Sequence, residues 1–245
     1  MTFRELFVAL CRRDLGRQPI VVLIAWLLLG AGAAVARQWL AAEQLLDHEV
    51  VRRLGGFEST LATVLGFAAA FQLIAHIAED RLHSWLHGWC GSGGKRSDYV
   101  LALYLAGVTA MAMALMAALL GFALTGAVLG ATANPLRSVF RLLPGILVIA
   151  GVGAYGLLLG TLIRRVAPAV FLGIVLFVTP MIIAAIVVVS QDLPGLPDSA
   201  RGWILHLPSP VVVETARGFL RQMAYIAVAV SLSAWVARHT IGRTA

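Results

Sequence analysis

Apolar residues fall into six long runs, and the arginines, prolines and acidic residues collect between them. The runs extend from Ile20 to Ala36, Phe57 to Ala78, Tyr99 to about Gly130, Leu142 to Ile163, Val166 to Ser190 and Gly218 to Ala237. A helix rising about 1.5 Å per residue needs about 20 apolar residues to cross a hydrocarbon core of roughly 30 Å, so each run has the length of a membrane span. The second is interrupted only by Glu58 near its start and by Gln72 and His76, and Arg221 lies near enough to the end of the sixth to reach headgroups. The third is long enough to tilt or protrude. The pattern predicts an all-α integral membrane protein with six transmembrane helices.

Residues 1–19 form a separate unit ahead of the transmembrane domain, 20–245. Phe3, Leu6, Phe7 and Leu10 recur at helical spacing, Thr2 and Glu5 have capping-box spacing, and Gly16 and Pro19 stop the helix. With Arg4, Arg12, Arg13 and Arg17 on its polar side, this segment reads as an amphipathic helix in the cytoplasmic interface. Ala34-Val35-Ala36 has the small-residue pattern of a leader cleavage site, but such a leader would be unusually long. Arg37 to Gly56 carries apolar residues at roughly helical spacing and reads as an outside helix resting on the membrane. Trp203 to Leu207 is too short to cross and is bracketed by prolines. It is expected to form short re-entrant helices with Pro208, Pro210, Glu214 and Arg217, where protein covers the backbone polar groups.

Composition removes the soluble alternatives. The chain is 60% hydrophobic and 13% charged, with mean hydropathy +0.89, whereas soluble domains carry roughly 25% charged residues. The net charge of +7 raises the question of nucleic acid. The arginines nevertheless stand in ones and twos between apolar runs, as membrane topology requires, and form no phosphate-binding face. With the N-terminus inside, cytoplasmic segments hold eleven of the nineteen Lys and Arg residues, so both termini are expected in the cytoplasm of a bacterial inner membrane. Cys11 and Cys90 then lie on the reducing side and suggest no disulfide framework.

No Asp, Glu, Lys or Arg occupies the middle of a span, which argues against an ion-coupled carrier. Gly91-Ser92-Gly93-Gly94-Lys95 lacks the spacing of a phosphate-cradling loop and reads as a flexible turn. His76, Asp80, His83, His87 and Cys90 recur along one helical stripe, of which His83, His87 and Cys90 have the chemistry of metal ligands; the favoured reading is a polar helix face near headgroups. Met111, Met113 and Met116 read as packing. Gly126 with Gly130, and Gly156 with Gly160, have the spacing that lets helices approach closely, within the bundle or at a dimer seam. Pro180 is expected to kink the fifth span.

The segment from Glu79 to Asp98 opens with an acidic pair, continues through a short helix-compatible stretch, Arg81 to Trp89, breaks at glycines and restarts at Lys95-Arg96-Ser97-Asp98-Tyr99. Here the chain resembles the type-2 ATP-binding-cassette (ABC) exporter permeases, in which an interfacial helix precedes six spans and the loop between spans two and three carries an acidic pair and a coupling helix. Leu207-Pro208-Ser209-Pro210, followed by Glu214 and Arg217, is similar to the pattern before the last span of that family. The Gly-Thr that usually follows the acidic residues, and the Pro of the turn, are missing.

The resemblance implies a permease dimer working with separate cytoplasmic ATPase subunits that bind ATP and Mg, and no catalytic residue or cofactor in this chain. It assigns ATPase coupling to Glu79, Asp80, Arg81, His83, Ser84, Trp85, Leu86 and Trp89. The charge-poor spans suit a hydrophobic or amphiphilic cargo. Alternatives are a haem- or metal-related export permease, a six-span membrane enzyme, for which no serine and histidine or paired carboxylates stand out, and an assembly subunit.

Overall fold

The computed structural model describes residues 2–16, 19–42, 56–82, 85–129, 135–163, 165–175 and 216–240, and no strand occurs among them. Their helices are α1 (Phe3–Asp14), α2 (Pro19–Ala42), α3 (Gly56–Leu82), α4 (Trp85–Gly91), α5 (Arg96–Val128), α6 (Pro135–Leu162), α7 (Val166–Gly173) and α8 (Ala216–Thr240). Five apolar stretches within them are long enough to cross a membrane: Pro19–Ala36, Leu61–Asp80, Arg96–Val128, Leu142–Leu162 and Gly218–His239. The chain is an all-α, multi-pass membrane protein. Of the expected fifth span, α7 covers only the beginning. Pro180, Gly130, most of the expected outside helix and the region holding Trp203, Pro208, Pro210 and Glu214 lie outside the described residues.

α1 forms where its local chemistry predicts. The Thr2 hydroxyl accepts from the Glu5 amide at 3.3 Å, and the Thr2 amide donates to Glu5 Oε2 at 2.7 Å, closing the capping box. Gly16, at φ +78°, ends the helix in a conformation that favours glycine, and Pro19 opens α2. The stripe of Leu6 and Leu10 packs on protein: the two side chains are 1% and 0% exposed in one cluster with Tyr99, Leu103 and Ala106 of α5. Arg13 departs from expectation. It lies three residues beyond Leu10 and seven beyond Leu6, so helical spacing returns it to the buried stripe and not to the polar side. Asp14, four beyond Leu10, follows it inward.

The spans pack through small residues. α3 and α6 run parallel and meet at matching four-residue steps: a Cβ on Gly66 would stand 3.3 Å from Val152, one on Gly156 would collide with the Ala70 backbone, and one on Gly160 would stand 3.1 Å from Ile74 Cα. Gly156 and Gly160 therefore serve bundle packing within one chain. A second seam, unmarked in the sequence reading, joins α2 to α5, where a Cβ on Gly30 would run into the Ala118 carbonyl and one on Gly121 into that of Leu27.

One end of the bundle gathers α1, α4, the C-terminal half of α3, the start of α5 and the C-terminal parts of α6 and α8 around a single apolar cluster. Because Leu6 of α1 and Ala237 of α8 share that cluster, the first and last helices meet at the same end. Leu61, Ala62, Leu115 and Leu119 mark the opposite half. α2 and α8 turn large apolar side chains outward, among them Ile20 at 71% and Val228 at 65% exposure, as lipid-facing helices do.

Candidate functional site

The charged residues of the α1 end make a knot joining three helices. Arg13, from the last turn of α1, places Nη1 at 3.2 Å from each carboxylate oxygen of Asp80 near the end of α3. The Tyr99 hydroxyl, from the first turn of α5, donates a hydrogen bond to Asp80 Oδ2. Asp80 is thus held by two helices at once and is only 4% exposed. Asp14 sits beside it: Oδ1 accepts from Arg13 Nε at 3.4 Å and lies 3.1 Å from His76 Nε2, with its side chain wholly buried. Gln72 Nε2 lies 3.3 Å from the same His76 nitrogen, one turn deeper along α3.

Two carboxylates and one guanidinium in a largely buried space stabilise one another only as a set. Burial works against the charge on Arg13, but Asp80 and Asp14 outweigh it and raise the guanidinium above its ordinary value. Burial also pushes the Cys11 thiol up, with Asp14 adding to the shift, so this cysteine is a poor nucleophile at neutral pH. Arg13 Nη2, Asp14 Oδ2 and His76 Nδ1 are buried without hydrogen-bond partners, so the knot stays polar well inside the packed end.

The residues expected to act in coupling divide sharply. Glu79 turns outward, its side chain 68% exposed, whereas its neighbour Asp80 is consumed by Arg13 and Tyr99. Asp80 is therefore no solvated helix end. Leu86 and Trp89 of α4 are buried in the cluster that holds Leu6 and Leu10, so they seat the short helix from beneath. The Trp89 indole donates to the Lys95 carbonyl at 2.9 Å and lies so close over Gly94 that a Cβ there would enter the ring. With the Gly94 amide bonded to the Trp89 carbonyl at 3.1 Å and Gly93 at φ +84°, the glycine run is a hydrogen-bonded turn. Gly88, Gly91, Ser92, Gly93 and Lys95 form the exposed side of this segment. His83 and Ser84, and the side chains of Arg81, Trp85, His87 and Arg217, lie outside the described residues.

The stripe from His76 to Cys90 does not continue along one helix: α3 carries His76 and Asp80, and Cys90 belongs to α4. Among the described residues no three His, Cys, Asp or Glu side chains gather as a metal-binding set. Met111 packs in the second apolar cluster and Met116 faces outward at 52% exposure, so these methionines do not share one site. The sequence reading missed the partners of Asp80. Arg13 at i+7 from Leu6 was the available signal, since a charge on a buried stripe requires a buried counter-charge. No protein-family model and no curated protein sequence matches the chain.

Proposed function

We propose that this chain is the membrane-spanning subunit of an ATP-driven exporter of the type-2 ABC kind, moving a hydrophobic or amphiphilic cargo across a bacterial inner membrane. The observation that carries this reading is the attachment of α1 to the ends of α3 and α5 by Arg13, Asp80 and Tyr99, immediately beside outward-facing Glu79 and the short helix α4. A push on α4 and Glu79 by a cytoplasmic ATPase would reach α3, α5 and α1 together, because the knot joins them before any span moves.

The six-span topology belongs to the same proposal. α6 and α8 both end at the α1 face, which supports a reading in which the apolar run from Val166 to Ser190 is a further span between them. Both termini are cytoplasmic in this reading, and the prolines around Trp203 introduce re-entrant helices capping the outer end of a permease dimer. An impermeant thiol reagent should spare Cys90 in sealed cells and modify a cysteine introduced at Asp198; labelling of Cys90 would reverse the orientation.

The functional test is Glu79→Lys. Its side chain is 68% exposed and lies 3.7 Å from His76 Nδ1, so the variant should fold with at most a small loss of thermal stability while losing co-purification with an ATPase subunit or uncoupling that subunit's ATP turnover. Asp80→Lys is a poorer test because it breaks the internal ion pair. A complex that assembles and transports normally with Glu79→Lys, or a chain that purifies with no ATPase at all, sinks the exporter reading.

A further inference from the structure

The outward half of α1 offers chemistry that neither the knot nor the exporter reading uses. Its apolar stripe is already covered by protein through Leu6 and Leu10. On the opposite side Arg4 and Arg12 are exposed, as is Val8 at 40%. Between them runs a groove of about 390 Å³ lined by Thr2, Arg4, Glu5, Val8, Ala9 and Arg12. Eight residues separate the two arginines, about 12 Å along the helix, with small Ala9 between them. Glu5, the carboxylate of this groove, is engaged by the Thr2 amide at 2.7 Å. Arg13 is engaged by Asp14 and Asp80 inside the knot, which leaves Arg4 and Arg12 as the cations of this face.

The level of the helix identifies what meets that face. α1 ends at Asp14, and the first membrane stretch opens at Pro19, where Ile20, Val21 and Ile24 are exposed for lipid. Five residues of chain reach at most about 18 Å, so α1 is tied close to the headgroup layer. Val8, flanked by Arg4 and Arg12, matches the upper end of an acyl chain with phosphates beside it, and each such arginine contributes about fivefold to binding an anionic surface.

We propose that the outer face of α1 binds an anionic phospholipid of the adjoining leaflet, with Arg4 and Arg12 on the headgroup phosphate and Val8 against the upper acyl chain. The site makes the attachment of α1 responsive to lipid composition, and it holds whether or not the chain is an exporter.

The test uses the full-length protein equilibrated with equal amounts of phosphatidylglycerol and phosphatidylcholine, with retained lipid counted by native mass spectrometry. The wild-type chain should retain phosphatidylglycerol preferentially. Arg4→Ala and Arg12→Ala should each reduce that preference about fivefold, and Arg4→Lys with Arg12→Lys should preserve most of it. Arg238→Ala, an exposed arginine at the same end of the bundle, should leave it unchanged. Equal retention of the two lipids by the wild-type chain, an Arg238→Ala loss as large as that of Arg4→Ala, or full competition by inorganic phosphate would each overturn the proposal. The lysine pair separates loss of the site from loss of folding.

Discussion

At the α1 end the helices meet through buried charges, while in the interior α3 and α6 approach closely through glycine and alanine. The interior seam is a matter of volume. Gly66, Ala70, Gly156 and Gly160 let two backbones approach, every added carbon is felt, and pH or salt has little to act on. The knot is a matter of charge: Arg13, Asp14, Asp80 and Tyr99 stay buried because each satisfies another, so removing one strands the rest. A seam of the first kind fixes distance, and a contact of the second kind can separate as a unit and re-form. That difference makes the α1 joint the contact that a lost charge breaks, and the α3 and α6 seam the one that added volume disturbs.

The largest expected effect comes from Arg13→Ala, which leaves Asp14 and Asp80 buried with no cation beside them. Breaking a buried pair in this way costs about 3 to 5 kcal/mol, and half-buried Cys11 in the same helix reports it. Alkylation of Cys11 should accelerate by about a hundredfold if release of α1 exposes the thiol. An unchanged rate would show that α1 is held by Leu6 and Leu10 alone. Gly156→Val should follow, destabilising the bundle by up to about 3 kcal/mol through overpacking against Ala70. Thermal unfolding should detect it while Cys11 alkylation stays near wild type, and a large acceleration would erase the distinction between joint and seam.

Tyr99→Phe keeps the volume and removes one hydrogen bond to a charged acceptor, so it should loosen α1 by about 1.5 kcal/mol, again read at Cys11. The smallest effect belongs to the first turn of α1. The backbone hydrogen bond to Thr2 holds the Glu5 carboxyl below its ordinary value of 4.5. Its contribution is therefore complete above that value and is lost as pH falls through the lower folded value. Amide exchange at Thr2, whose N–H the Glu5 carboxylate accepts, should rise on that acid side only, and Thr2→Ala should raise exchange at the Glu5 amide at neutral pH as well.

What the sequence discloses follows the range of the interactions. The extents of α2, α3, α5 and α8, the capping box at Thr2 and Glu5, and the spacing of Gly156 with Gly160 depend on residues within a few turns of one another, and periodicity exposes them. Arg13 and Asp80 are 67 residues apart, and Asp14 and His76 belong to different helices. Nothing local joins them, so the acidic pair at Glu79 and Asp80 looks uniform in sequence although one member faces out and the other is locked inside. Gly30 and Gly121 escape notice for the same reason: each looks isolated in its own helix, and only the α2 and α5 contact reveals a shared role.

The length of α5 gives the molecule a mechanical property. Its 33 residues contain no proline, and at about 1.5 Å each they make a rod of roughly 50 Å, against a hydrocarbon core of roughly 30 Å. The excess of some 20 Å is taken up by tilt or by helix beyond the acyl layer, and the Tyr99 end of the rod is gripped by α1 and α4. Such a rod works as a crank about a fulcrum in the bilayer. A swing of roughly 10° shifts a tip about 25 Å from the pivot by about 4 Å, and the far tip travels the opposite way. Whatever moves Tyr99 on one face of the membrane is thereby displayed, inverted, at Val128 on the other.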